Sequence, residues 1–214
     1  MLACLEAARG CGGHVISIGG AIGLFHYVEY RQTKDLDAWW TEEATEAQRF
    51  AVIQAIKGAL APFGSVEERR FGDVVSIELL VAGKVEFSFQ IARRSALLRP
   101  LQESSWPPVL LDSLEDLMAS KMQALVERGA PRDFLDIHRC CLDGLGTVPG
   151  SWALWREREI RRGTPAPDVR VAREAILLHL SRIERQRPLE SIIDREARGK
   201  AAQLREWFKH EFCG

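Results

Sequence analysis

Two aspartates spaced one residue apart, Asp35 and Asp37, lie in a short hydrophobic stretch downstream of a Gly19-Gly20 pair. That spacing constrains the fold more than any other feature of the chain. On a β-strand, residues two apart project from the same face. Both carboxylates then converge on one point, where they repel unless a cation lies between them. Magnesium suits such a place, because it takes oxygen ligands from one or two carboxylates and completes its shell with water and substrate phosphate. A glycine turn that brings backbone N–H groups near the same point can hold phosphates. The pattern calls for a strand that presents carboxylates beside a turn.

The 214 residues are enough for a sizeable core, as one large domain or two small ones. An apolar fraction of 46% and a charged fraction of 28% place the chain among ordinary globular proteins. No run of about 18 uncharged apolar residues is present, so no membrane association is expected. The Met1-Leu-Ala-Cys-Leu-Glu6 start lacks the basic, then apolar, pattern of a secretory signal. Five cysteines without a C-x-x-C pair fit free thiols in a reducing, cytoplasmic setting. Charge is uneven: residues 1–150 hold 15 basic and 20 acidic residues, net −5, and residues 151–214 hold 14 and 10, net +4. The basic tail permits an anionic partner, although its charges also alternate in sign as on solvated helices.

Hydrophobic periodicity predicts a helix over 2–10 ended by Cys11-Gly12-Gly13, a strand over 14–18, a short helix over 21–30, and a second strand over 35–39. Thr41 reads as the N-cap of a helix running to Pro62, with Phe50, Ile53, Ile56 and Leu60 as its buried stripe. Residues 65–92 read as strands, with turns at Gly72-Asp73 and at Ala82-Gly83, the latter a hairpin. A loop with Trp106-Pro107-Pro108 follows. From Ser113, an N-cap candidate, the pattern is helical: one helix through Glu127, another over 132–141, and two amphipathic helices at the end, split near Gln186-Arg187-Pro188. The expectation is an α/β first part, residues 1–100, and a helical second part, residues 101–214.

Each candidate residue has an ordinary reading beside the chemical one. D-x-D alone is a weak pattern, and solvated strand charges explain it equally well. Glu86, in a separate strand with large apolar neighbours, changes the weighing: if the strands are adjacent, three carboxylates cluster, which is costly without a cation. Gly19-Gly20 does not fit a dinucleotide fingerprint, since Ile18 stands where glycine is needed, and no P-loop follows. Thr33 can offer its hydroxyl to a phosphate or cap the strand. Lys121 and Arg128, seven apart, share a helix face, as snorkelling surface pairs also do. Arg132, Asp133 and Asp136 can pair across the helix break. His138 near Cys140 and Cys141 matches no common zinc spacing, and the six tryptophans read as core or interface.

Taken in order, Gly19-Gly20 and Thr33-x-Asp35-x-Asp37 resemble the opening motif of the polymerase-β-like nucleotidyltransferases. The run Leu114-Glu-Asp-Leu-Met-Ala-Ser-Lys121 to Arg128-Gly-Ala-Pro-Arg132-Asp133-Phe-Leu-Asp136 is similar to the second signature of the AbiEii/AbiGii toxin nucleotidyltransferases. The resemblance covers about residues 14–140. It implies an α+β polymerase-β-like core, a mixed sheet with flanking helices, followed by a helical C-terminal region. It further implies a magnesium-dependent, cytoplasmic enzyme that moves a nucleoside monophosphate from a nucleoside triphosphate to an acceptor and releases pyrophosphate. Asp35, Asp37 and Glu86 would hold metal, with two ions expected. Gly19, Gly20, Thr33 and Arg128 would receive the triphosphate, and Lys121 would neutralise its charge. Asp133 would activate the acceptor or position Lys121. Transfer RNA or protein would be the acceptor and a cognate antitoxin the partner. Two alternatives stand beside this: a degenerate family member that only binds or regulates, and a nucleotidyltransferase acting on a small molecule such as an antibiotic. Few residues precede the Gly-Gly turn, and Gly20 stands where the wider superfamily has serine.

Overall fold

The structure, a computed structural model, describes residues 1–11, 14–103 and 109–214. Gly12, Gly13 and the expected Trp106-Pro107-Pro108 loop lie outside the described residues. The chain divides into two compact units, Met1–Leu117 and Met118–Gly214.

The first unit runs α1 (Leu2–Gly10), β1 (Ile16–Ile18), α2 (Gly20–Phe25), β2 (Asp35–Trp40), α3 (Glu46–Leu60), β3 (Ser65–Phe71), β4 (Val74–Val81), β5 (Lys84–Arg93), β6 (Gln102–Glu103) and β7 (Leu110–Leu111). All seven strands form one mixed sheet in the order β3-β4-β5-β2-β1-β7-β6. The β2–β5 and β1–β7 pairs are parallel and the others antiparallel. Because β7 returns to lie beside β1, the first unit extends beyond residue 100. The core gathers Leu36, Ile77, Phe89 and Ile91 of the sheet with Leu5 of α1 and Val52, Ile53 and Ile56 of α3. Burying each such aliphatic or aromatic side chain is worth about 1.5–3 kcal/mol.

β2 follows the alternation rule closely: Leu36, Ala38 and Trp40 are buried, while Asp35, Asp37 and Trp39 are only partly covered. The Ala82-Gly83 hairpin forms with φ of 50° and 74°, both in the left-handed region that a tight two-residue turn demands. Two details differ from the sequence reading. The α3 cap is Thr45, whose hydroxyl accepts from the Gln48 N–H while the Gln48 side chain takes the Thr45 N–H, a reciprocal capping box. Thr41 instead donates its hydroxyl to the His14 carbonyl at 2.9 Å, tying the end of β2 to the start of β1. With the helix starting later, Val52 takes the buried stripe and Phe50 points to water, 63% exposed. The short helix after the glycines also stops at Phe25, not Tyr30.

The second unit is helical. The division falls within α4 (Leu114–Glu127), followed by α5 (Pro131–Leu142), α6 (Val148–Arg161), α7 (Val169–Gln186) and α8 (Arg195–Trp207). An aromatic cluster of Phe134, Trp152, Trp207, Phe208 and Phe212 joins α5, α6 and the end of α8, with ring centroids 4.8–5.3 Å apart. Trp152 donates its indole N–H to the Phe212 carbonyl at 3.2 Å, which satisfies its polar atom in the core.

Candidate active site

In the first unit the glycine turn and the aspartates meet. Gly19 donates its N–H to the Asp37 carbonyl at 2.9 Å. Gly20 holds φ at +60°, and a β-carbon there would overlap the Asp37 carboxylate. At Gly19 a β-carbon would lie 2.5 Å from Trp39 Nε1 and 3.2 Å from Asp112 Oδ2. Both glycines are therefore required by close approach, Gly20 also by its backbone angle. Asp35 and Asp37 share one face of β2. Their cross-strand neighbours on that face are Ser88 and Gln90 of β5.

Thr33 exchanges hydrogen bonds with the Asp35 backbone, at 3.2 and 3.3 Å, and so caps the entry to β2. Glu86 does not join the aspartates as expected. Its carboxylate forms a 2.6 Å ion pair with Lys34 at the exposed end of β5. Among the described residues no three His, Cys, Asp or Glu side chains come together with the geometry to hold a metal. The condition on the strands is met, because β2 and β5 pair. Solvation at the strand end and a neighbouring lysine then take Glu86 elsewhere. The remaining donor set, two carboxylates, fits a hard divalent cation whose other ligands are water and phosphate.

Behind the turn lies a network with no local sequence signal. Asp112, fully buried, donates its N–H to the Ile18 carbonyl and accepts from Ser17 Oγ at 3.0 Å and from Arg94 Nη1 at 3.0 Å. Burial pushes the Asp112 carboxyl above the usual carboxylate range, while Arg94 and Ser17 pull it back. Arg94 also covers the Trp39 ring, 5.6 Å from its centroid. The network braces β1 and Trp39 from which the glycine turn departs.

The charged residues Lys121, Arg128, Asp133 and Asp136 of the second signature lie in the second unit, with partners other than those expected. Lys121, buried on α4, pairs with Asp136 of α5 at 2.6 Å. Asp133, also fully buried, accepts from Arg128 Nε and Nη2, both at 2.9 Å, and from the Ala130 N–H at 3.1 Å. The aspartate fixing Lys121 is thus Asp136, whereas Asp133 fixes Arg128 and the start of α5. The signal for Asp136 was helical spacing: Asp133 and Asp136 are three apart and face one side. Among the described residues no metal-holding group gathers around His138. Its ring packs edge-on against Trp207 at 4.9 Å, and burial pushes the Cys140 thiol up to about 12.

The fold is α+β with a mixed sheet, an architecture compatible with a nucleotidyltransferase. A family model described as "Nucleotidyl transferase AbiEii toxin, Type IV TA system" matches residues 19–208. The chain belongs to this AbiEii nucleotidyl transferase toxin family. No curated protein matches it. Among the described residues no helix is long and apolar enough to cross a membrane.

Proposed function

We propose that the protein is a magnesium-dependent nucleotidyltransferase with a polymerase-β-like core. It transfers a nucleoside monophosphate from a nucleoside triphosphate to an RNA, such as transfer RNA, or to a protein, and acts in the cytoplasm as the toxin paired with an antitoxin. In the reaction an acceptor hydroxyl oxygen bonds to the α-phosphorus, the bond to the β-phosphate oxygen breaks, pyrophosphate leaves, and the hydroxyl proton passes to solvent. The observation that carries this reading is the fit of Gly20 against Asp37 on the strand face shared with Asp35.

Magnesium, when bound, supplies charge stabilisation to the phosphoryl oxygens. Asp35 and Asp37 would hold it, and the Gly19-Gly20 turn, which packs directly against Asp37, would receive the phosphates. Thr33 shapes this site through the Asp35 backbone, and Glu86 lies outside it. In the second unit Lys121 is the cation proposed to meet triphosphate charge, with Asp136 as its positioning partner and Arg128 held by Asp133.

The test is label transfer from each of the four nucleoside triphosphates to total RNA and to protein extract, with and without magnesium. Asp35→Asn and Asp37→Asn should each abolish magnesium-dependent transfer while circular dichroism is unchanged. Full transfer by both variants would overturn the proposal.

A further inference from the structure

A cleft of about 720 Å³ opens in the first unit where β2 and β5 end. It is lined from Ser17 and Arg94, beside Trp39 on the aspartate face, to Arg49 of α3 and Arg93 of β5. Arg94 is already committed to Asp112. Arg49 and Arg93 have no carboxylate partner among the described residues. Arg49 lies over the Trp40 ring, 5.7 Å from its centroid, which fixes the plane of its guanidinium. Its Nε is shut off from water and has no hydrogen-bond partner among the described residues. A guanidinium donor that has lost its water without gaining an acceptor is costly, and a ligand acceptor removes that cost.

Glu42, Glu43 and Asp73 line the same cleft, and all three are exposed to solvent. Charges in water are damped over about 10 Å at 0.1 M salt, so this rim opposes an anion only weakly. The partly dry guanidinium attracts one more strongly. Arg93 stands opposite Trp40 in the β2–β5 register, so two available guanidinium groups flank a single tryptophan. That arrangement suits a ligand with repeated anionic groups, and guanidinium forks match phosphate in geometry.

We infer that this cleft is the acceptor subsite and takes the phosphodiester backbone of an RNA strand, with Arg49 and Arg93 each meeting a phosphate. The word acceptor rests on the nucleotidyltransferase reading, whereas RNA binding itself does not. Ser17 and Arg94, which line one end of the cleft, adjoin Trp39 on the aspartate face, so a strand lying in it ends near that face.

The probe is a fluorescein-labelled, single-stranded 12-nucleotide RNA of mixed sequence, followed by anisotropy over a range of salt. Arg49→Gln with Arg93→Gln should weaken binding tenfold or more. It should also lower the slope of log affinity against log salt by about 1.4, which is two single-strand phosphate contacts. Magnesium–nucleoside triphosphate affinity, read by calorimetry, should not change. If the double variant does not fold, Arg93→Gln alone, at an exposed position, should lower the slope by about 0.7. Unchanged RNA affinity and slope, or no RNA binding by the unsubstituted protein, would overturn the inference. So would a glutamate-rich peptide binding in place of RNA and lost in the variant, or triphosphate affinity falling with RNA affinity. If the unsubstituted protein binds no triphosphate but loses RNA on substitution, the enzymatic reading fails and the RNA cleft stands.

Discussion

Gly20 and Asp37 are fitted to each other: the glycine at φ +60° backs onto the carboxylate so closely that a β-carbon would lie 2.8 Å from Asp37 Cβ and Cγ and overlap the carboxylate. Gly20→Ala must therefore both strain the backbone, by about 1–2 kcal/mol for a left-handed alanine, and push the aspartate aside. A displacement of about 1 Å at a reacting centre can cost on the order of 100-fold in rate. Label transfer should fall by at least that factor. Gly72→Ala, at a similar φ of 57° but with open space around it, should carry the strain without the loss of transfer.

Asp133 and Arg128 form one ion pair with unequal ends. Arg128 is half exposed, while Asp133 is wholly buried and also receives the Ala130 N–H at the start of α5. Removing the arginine leaves the carboxylate with a backbone partner, and removing the aspartate leaves an N–H and a helix start unsatisfied. Arg128→Ala should cost about 1 kcal/mol and Asp133→Ala about 2–4 kcal/mol, measured by urea unfolding. Equal costs would contradict this account.

What the sequence made legible follows from local rules. Alternation placed Asp35 and Asp37 on the same face of β2, and the φ requirements of Ala82-Gly83 fixed the hairpin. Thr45 was also legible, through Gln48 three residues on, but Thr41 attracted the cap because it follows the strand directly. Other features had no local signal. Ser17 and Asp112 meet across 95 residues, and two-residue β7 is placed by its pairing with β1 and β6. Glu86 was assigned as a third carboxylate beside Asp35 and Asp37, from its strand and from the resemblance. Its partner Lys34 lies 52 positions away, so the choice between metal and lysine was tertiary.

Lys57 of α3 and Arg70 of β3 hold the Glu68 carboxyl below its ordinary value of 4.5. A carboxyl lowered in the folded state binds protons more tightly when unfolded, so its stabilisation is present above pH 4.5 and is lost as pH falls through the folded value. Glu68→Gln should be less stable than the unsubstituted protein at pH 7, by up to about 1 kcal/mol. The two should converge as pH drops below 4.5 in thermal unfolding followed by circular dichroism. A gap that stays constant from pH 7 to pH 3 would mean that Glu68 acts through packing rather than charge.

Lys121 and Asp136 bury an ion pair between α4 and α5, with side chains 8% and 0% exposed. Deleting one end of such a pair typically costs about 3–5 kcal/mol, because the other charge loses its partner out of water. Replacing both ends with apolar side chains of similar volume is often close to neutral. Lys121→Met alone should therefore destabilise strongly, and Lys121→Met with Asp136→Leu should destabilise by much less than the two single changes together. The double variant separates structure from chemistry. If Lys121 supplies charge to the triphosphate as well as a helix contact, the doubly substituted protein is folded by urea titration and yet transfers no label. Transfer at the unsubstituted rate by that folded variant would reduce Lys121 to a purely structural cation.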